Sequence, residues 1–168
     1  MPKIIENLPQ RLAEEARRQI EESGYTAMTI RSVAKGCGVG VGTVYNYYPS
    51  KESLVAAFML EDWNRCIEAI QRCSEQALGW EPVLWSIYES LVEFMERHAV
   101  IFRDENAAVG FTGSFGKYHA ILRSQLAAPI RKFSRDDFTA EFLAESILTW
   151  TVAGKDFDEL NNVIKRLF

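Results

Sequence analysis

The run Gly36-Cys37-Gly38-Val39-Gly40-Val41-Gly42, followed seven residues later by Pro49, limits what this chain can build more than any other stretch. Before it, Thr29 offers a side-chain oxygen as a helix cap. Ile30, Val33, Ala34 and Cys37 then repeat at three and four residues, and Gly38 stands where a left-handed cap is wanted. That predicts a helix of two turns. Residues 39–48 are ambiguous: β-branched and aromatic side chains alternating with glycine read locally as a strand. Val41, Val44, Tyr45 and Tyr48 nevertheless fall at i, i+3, i+4 and i+7, so a second short helix is the better reading.

The flanking sequence is helical throughout. Leu8, Leu12, Ala16 and Ile20, four apart, predict an amphipathic helix over residues 9–23, with Pro9 tolerated in its first turn and Gly24 ending it. Ser50 caps a long helix reaching about residue 77. Pro82 opens another to residue 98, and further helices are expected over 101–109, 117–132 (bent or ended near Pro129), 136–153 and 156–167. No convincing strand remains, and the expected fold is all-α with about nine helices. A chain of 168 residues has room for one small module attached to a larger one.

Composition enters through the distribution of charge. The net charge of −4 argues against a chain whose whole surface binds nucleic acid. Between residues 25 and 51, however, Arg31, Lys35 and Lys51 face no acidic residue, whereas residues 56–168 carry 12 basic and 17 acidic side chains. An acid-free segment with a tight turn between two short helices suits a helix-turn-helix, in which the second helix enters a major groove about 12 Å wide. Thr29, Tyr45, Tyr47 and Lys51 are candidate phosphate donors. Arg31, Thr43 and Asn46 are candidates for base edges, and Gly40 and Gly42 allow close backbone approach. On composition alone, a neutral helical hairpin with solvated polar residues explains the segment equally well.

Other chemistries are not supported. The glycine run lacks the G-x-G-x-x-G spacing and no G-K-[ST] follows it. His98 and His119 have no H-E-x-x-H context, and three cysteines without a C-x-x-C pair indicate neither a disulfide framework nor a zinc site. No metal, cofactor or catalytic reaction is expected. The N-terminal stretch lacks a signal-peptide core and no apolar run spans a bilayer, so the expectation is a cytoplasmic protein without a membrane partner.

The stretch TIRSVAKGCGVGVGTVYNYYPSKESL, residues 29–54, resembles the N-terminal signature of the TetR (tetracycline-repressor-like) family of bacterial transcriptional regulators. The pattern carrying the resemblance is Thr29, Val33-Ala34, Gly38-Val39, Gly42-Thr43-Val44-Tyr45, Tyr48 and Lys51-Glu52, and it covers about the first 55 residues. The resemblance implies a three-helix DNA-binding domain over residues 1–50, with 41–47 as recognition helix, and a helical sensing and dimerisation domain over 51–168. It implies that Arg31, Val41, Gly42, Thr43, Tyr45 and Asn46 face bases or nearby backbone, and that Thr29, Tyr45, Tyr47 and Lys51 face phosphates. Val33, Ala34, Val44 and Tyr48 would form the small core. Gly40 stands where many relatives have serine, which leaves only backbone donation there, and Tyr48 replaces a more frequent phenylalanine, so its hydroxyl needs a partner.

By the same resemblance the last two long helices pair with a second copy, through Phe138, Phe142, Trp150, Phe157, Leu160 and Ile164. A homodimer also follows physically, since one short recognition helix makes too few contacts for useful specificity. Trp63, Trp85, Tyr88, Phe94, Phe102 and Tyr118 are candidates to line a pocket for an apolar or amphipathic small-molecule effector. The function expected is that of a dimeric regulator, a repressor of a palindromic double-stranded operator. The alternatives are control by a partner protein, or a helical-bundle enzyme or interaction module.

Overall fold

The computed structural model describes residues 6–111 and 115–167, the backbone alone for residues 115–118 and 167. Among the described residues every regular element is a helix: α1 (Leu8–Ser23), α2 (Ile30–Cys37), α3 (Val41–Tyr47), α4 (Lys51–Gln76), α5 (Trp80–Arg97), α6 (Ala99–Phe102), α7 (Glu105–Phe111), α8 (Phe115–Arg131), α9 (Asp137–Val152) and α10 (Phe157–Leu167). There are ten helices where about nine were expected, because the one helix anticipated over 101–109 is two. Asp104 divides them: its carboxylate accepts from the backbone N–H groups of Asn106 at 2.9 Å and Ala107 at 3.2 Å and starts α7 afresh. Proline acts less sharply than its rank suggests. Pro82 sits in the first turn of α5, where no N–H is missed, and α8 runs two residues past Pro129.

The helices pack as two compact units, Met1–Asp62 with His98–Gly113, and Trp63–Arg97 with Ser114–Phe168. In the first unit the four-residue stripe of α1, Leu8, Leu12, Ala16 and Ile20, is buried as its spacing requires. It shares one core with Val33 of α2, Val44 of α3, Leu54 and Phe58 of α4, and Ile101 of α6. The start of α4 and the segment from residue 98 thus pack with the N-terminal helices. The boundary suggested by sequence at residue 50 marks a change of motif and not a break in packing.

A buried polar centre, with no sequence signal, holds this unit together. Asp62, 2% exposed, accepts from Arg17 Nη1 of α1 at 2.7 Å and lies 3.0 Å from Nε2 of His98, itself 3% exposed. The Arg17 guanidinium also lies over the Phe58 ring, which stacks on the His98 imidazole. One carboxylate therefore ties α1, α4 and the residue before α6.

In the second unit α5, α8 and α9 pack against one another around Leu84, Ile87, Leu126, Ile130 and Ile147. Here the sequence expectation needs correction. Phe157, Leu160 and Ile164 of α10, expected on a surface between two copies, are 5%, 8% and 2% exposed and belong to this unit's own core. Their i, i+3, i+7 spacing marks an apolar stripe without saying which chain covers it. Phe138, Phe142 and Trp150 of α9 are exposed.

Asp62→Ala leaves Arg17 without its carboxylate in a buried site and is expected to lower the unfolding free energy by about 3 kcal/mol in urea denaturation. Glu22→Ala, on an exposed ion pair with Arg18, leaves it nearly unchanged. Equal effects would show that the Asp62 centre contributes no more than surface charge.

Candidate nucleic-acid interface

The turn between α2 and α3 is built by local chemistry. The Thr29 hydroxyl oxygen accepts from the Ser32 N–H at 3.0 Å while Ser32 Oγ accepts from the Thr29 N–H at 3.0 Å, a reciprocal cap that fixes where α2 begins. Gly38 ends it at φ 69°, a conformation that favours glycine, and its N–H and that of Val39 close onto the Lys35 and Ala34 carbonyls. After Gly40 the chain turns helical again, with the Gly40 carbonyl accepting from Thr43 N–H at 2.9 Å.

Helical periodicity sorts the residues of α3 around Val44, which is fully buried. Val41 and Tyr48 flank it against the core. Gly42 and Asn46, remote from Val44 on the helix, are exposed, as are Tyr45 and Tyr47 toward its edges at 51% and 49%. The Tyr48 hydroxyl finds its partner in the Pro9 carbonyl at 3.1 Å. Arg31 and Thr29 are exposed at the start of α2.

The glycines divide into two kinds. Gly38 is required by its backbone angle. A Cβ on Gly40 would meet only Thr43 Oγ1 at 3.8 Å, and one on Gly42 would meet nothing within 4 Å. Among the described residues, packing therefore does not call for glycine at 40 or 42. A body lying close against α3 would.

Lys51 opens α4 but points inward. Its ammonium donates to the Tyr25 carbonyl and stands 4.0 Å from the centre of the Tyr25 ring, and burial lowers its pKa. A contact with phosphate would use the other two of its three donors. Beside it burial first, then Glu52, pushes the Tyr25 hydroxyl up to about 12. The Asp104 carboxyl is held below its usual range, chiefly by the Thr26 hydroxyl at 2.8 Å. These contacts escape a reading of the sequence because their partners lie 26 to 78 residues apart. The cap of α4 does not: Ser50 and Ser53 exchange N–H to hydroxyl bonds, and S-x-x-S is visible in the chain.

The residues expected to line an effector pocket are not gathered into one. Trp63 is buried, its indole N–H donating to Gln125 at 2.7 Å and its ring edge-on to Phe94. Trp85 and Tyr88 pack on Phe157, with Trp85 46% exposed. Phe102 is exposed and belongs to the first unit, and the Tyr118 side chain lies outside the described residues. A cavity of about 110 Å³ in the second unit is lined by other residues, among them Trp80, Ile130, Phe133, Arg135 and Ile164. Aromatic side chains at helical spacing were consumed as core and surface pairs, since each ring buries more area against a neighbour than against an empty space. Among the described residues no group of three His, Cys, Asp or Glu side chains could hold a metal, and no helix is long and apolar enough to cross a membrane.

Residues 12–58 match the model of the family described as bacterial regulatory proteins, tetR family. The HTH-type transcriptional regulator UidR of Escherichia coli is 32% identical over 57 residues, 34% of this chain and 29% of that protein. The HTH-type transcriptional regulator YhgD of Bacillus subtilis is 26% identical over 101 residues, 59% and 53% of the two chains. The chain thus spans less than two thirds of the length of these relatives. Among solved structures, Thermus thermophilus FadR, a TetR-family transcriptional repressor in complex with lauroyl-CoA, aligns with a TM-score of 0.64 at 21% identity, covering 95% of this chain and 92% of that one. The TetR-family repressor AlkX from Dietzia aligns at 0.60 and 15% identity, covering 86% and 83%. At identities this low, these alignments show a shared fold alone.

If the two open glycines are indeed not needed internally, Gly40→Ser stabilises the unit by a few tenths of a kcal/mol through a new cap. Gly42→Ala then stabilises it by roughly 0.5–1 kcal/mol by removing backbone freedom inside a helix. Urea denaturation checks both. A loss of stability in either variant would mean that the fold itself demands the glycine.

Proposed function

We propose that this chain, whose residues 12–58 match the model of the tetR family of bacterial regulatory proteins, is a transcriptional regulator. It represses by holding a palindromic double-stranded operator as a homodimer, and releases it when an effector binds. The observation that carries the reading is the outward side of α3, where Gly42 and Asn46 lie open between two half-exposed tyrosines and a Cβ on Gly42 would meet nothing within 4 Å among the described residues. Arg31, Thr43 and Asn46 are assigned to base edges, Gly40, Val41 and Gly42 to close backbone approach, and Thr29, Tyr45, Tyr47 and Lys51 to phosphates. No catalytic reaction is assigned, and a cytoplasmic location accords with such a regulator.

The homodimer is assigned to the face of α8 and α9. Phe138, 79% exposed, stacks on Phe142, and Trp150 and Ile121 are 43% exposed on the same two-helix layer. The effector class proposed is an apolar or amphipathic small molecule, and long-chain acyl thioesters are the first to test, since the T. thermophilus repressor is held with lauroyl-CoA. Helix α4 is shared along the chain by both units. An effector that favours one setting of α4 lowers operator affinity by its differential affinity for that setting. The cavity of about 110 Å³ is small against the roughly 300–1,000 Å³ of ordinary ligand pockets. A second reading puts a partner protein in place of the small molecule.

Anisotropy titration of the full chain with duplex fragments from upstream of its own gene tests the proposal. Binding is expected to fall with salt on a log–log slope of several units. Tyr47→Ala weakens it on all sequences, and Asn46→Ala weakens it mainly on the preferred one. Gly42→Ala weakens it while leaving the protein folded. Binding that ignores salt and all three substitutions would overturn the reading. Phe142→Glu is expected to give a monomer in sedimentation and to cost at least tenfold in operator affinity, because it halves the contacts. A variant that stays dimeric would remove α9 from the interface. Thermal-shift measurements with acyl thioesters separate the two modes of control: a rise in melting temperature supports the small molecule, and none across the series supports the partner protein.

A further inference from the structure

A chain of hydrogen bonds crosses from α1 to α2 and ends on a residue assigned above to phosphate. On α1 the Glu15 carboxylate accepts from Arg18, Nη2 to Oε1 at 2.7 Å and Nε to Oε2 at 2.9 Å, and from Gln19 Nε2 at 2.7 Å. The Gln19 carbonyl oxygen accepts from the Ser32 hydroxyl of α2 at 2.5 Å. Ser32 in turn forms the reciprocal cap with Thr29. The crossing passes over Gly36, where a Cβ would stand 2.2 Å from Glu15 Oε1 and 2.7 Å from its Cδ. Gly36 is helical and takes no positive φ, so its backbone gives no reason for glycine. The Glu15 carboxylate lying on it does.

We propose that Glu15 and Gln19 are positioning residues for operator binding, which hold Ser32 and, through it, keep the Thr29 hydroxyl in place to donate to a phosphate. The inference rests on the DNA-binding reading and on the place of Thr29 in it. Neither Glu15 nor Gln19 touches DNA in this account, and both lie on α1, before the residues 29–54 that carry the helix-turn-helix signature.

The direction of each bond follows from the groups themselves. Arg18 first, then Gln19, hold the Glu15 carboxyl down at about 2, so at neutral pH it only accepts. Gln19 must therefore turn its NH2 toward Glu15, which leaves its carbonyl for Ser32. The Ser32 hydroxyl has one hydrogen, and that carbonyl takes it. Its oxygen remains an acceptor for the Thr29 N–H at 3.0 Å, with the Thr29 hydroxyl 3.1 Å away. That hydroxyl already accepts from the Ser32 N–H. Its own hydrogen can thus turn from Ser32 Oγ to a phosphate without leaving the Ser32 oxygen unserved. Without Gln19, the Ser32 hydrogen turns to the Thr29 carbonyl at 2.8 Å. The same carbonyl accepts from the Val33 N–H at 3.0 Å, so sharing it loosens the turn that carries Thr29 and Arg31.

Anisotropy titration of the full chain with duplex from upstream of its own gene, paired with urea denaturation of each variant, tests this. Gln19→Ala is expected to weaken binding about fivefold, the effect of roughly one hydrogen bond. In a Thr29→Val background, where no donor is left to position, the same change is expected to matter by less than about twofold. Gly36→Ala separates positioning from folding. Alanine is the better helix former and only the end of the Glu15 side chain gives way, so stability holds or rises while binding weakens by about the same fivefold. Glu22→Ala, on the far side of Arg18, changes binding by less than about twofold. Gln19→Ala or Gly36→Ala binding as tightly as the unsubstituted chain overturns the inference, and so does a Gln19→Ala loss that persists unchanged with Thr29→Val. If Tyr47→Ala still weakens binding, those results leave the DNA-binding reading standing. A chain that binds no duplex at any salt concentration overturns both.

Discussion

A seven-residue helix cannot support itself in water: nucleation costs too much for so few hydrogen bonds, and two of the eight residues from Gly40 to Tyr47 are glycine. The side of α3 assigned to DNA exists because Val44 is driven into a core supplied by α1, α2 and α4. Fixing that one side chain fixes the rotation of α3 about its own axis. Rotation in turn decides that Gly42 and Asn46 face outward, with Tyr45 and Tyr47 beside them. A change that loosens the Val44 site alters the presented face even though Val44 touches nothing outside.

The first unit is assembled from segments distant in the chain, and polar contacts do much of the joining. Asp62 serves both Arg17 and His98, Thr26 meets Asp104, and Lys51 meets the Tyr25 carbonyl. Each is a contact in which a lost partner leaves a costly group behind, so together they favour one arrangement over many nearly equal ones. Apolar burial supplies most of the free energy of such a unit but is tolerant of small slips; directed hydrogen bonds are less so.

The local motif was legible in the chain because every signal in it is short-range. Thr29, Gly38 and Ser50 are caps that act on the next three or four residues, and they bound α2 and α4 where the structure has them. The strand-like composition of residues 39–48 misleads locally, since β-branched and aromatic preference reports fitness for a half-buried surface, and a helix packed through Val44 provides one as well. Aromatic residues of the second unit were less informative. Trp63, Phe94, Trp85 and Tyr88 were plausible pocket residues by type, yet they pair with Gln125, with Phe157 and with one another.

What the sequence determined by itself is the all-helical class, the acid-free motif between residues 25 and 51, and the identity of the side chains that motif can present. These depend on periodicity, capping and charge, all of which act within a turn or two. Only the tertiary structure decided which apolar stripes are spent inside the molecule. Phe157 and Ile164 fill their own unit's core while Phe138 and Phe142 do not, although the sequence marks all four alike. It also decided that the segment after residue 98 packs with the N-terminal helices, through a carboxylate 36 residues away at Asp62. Hydrophobic spacing says that a face must be covered; only the three-dimensional arrangement of the other faces says by what.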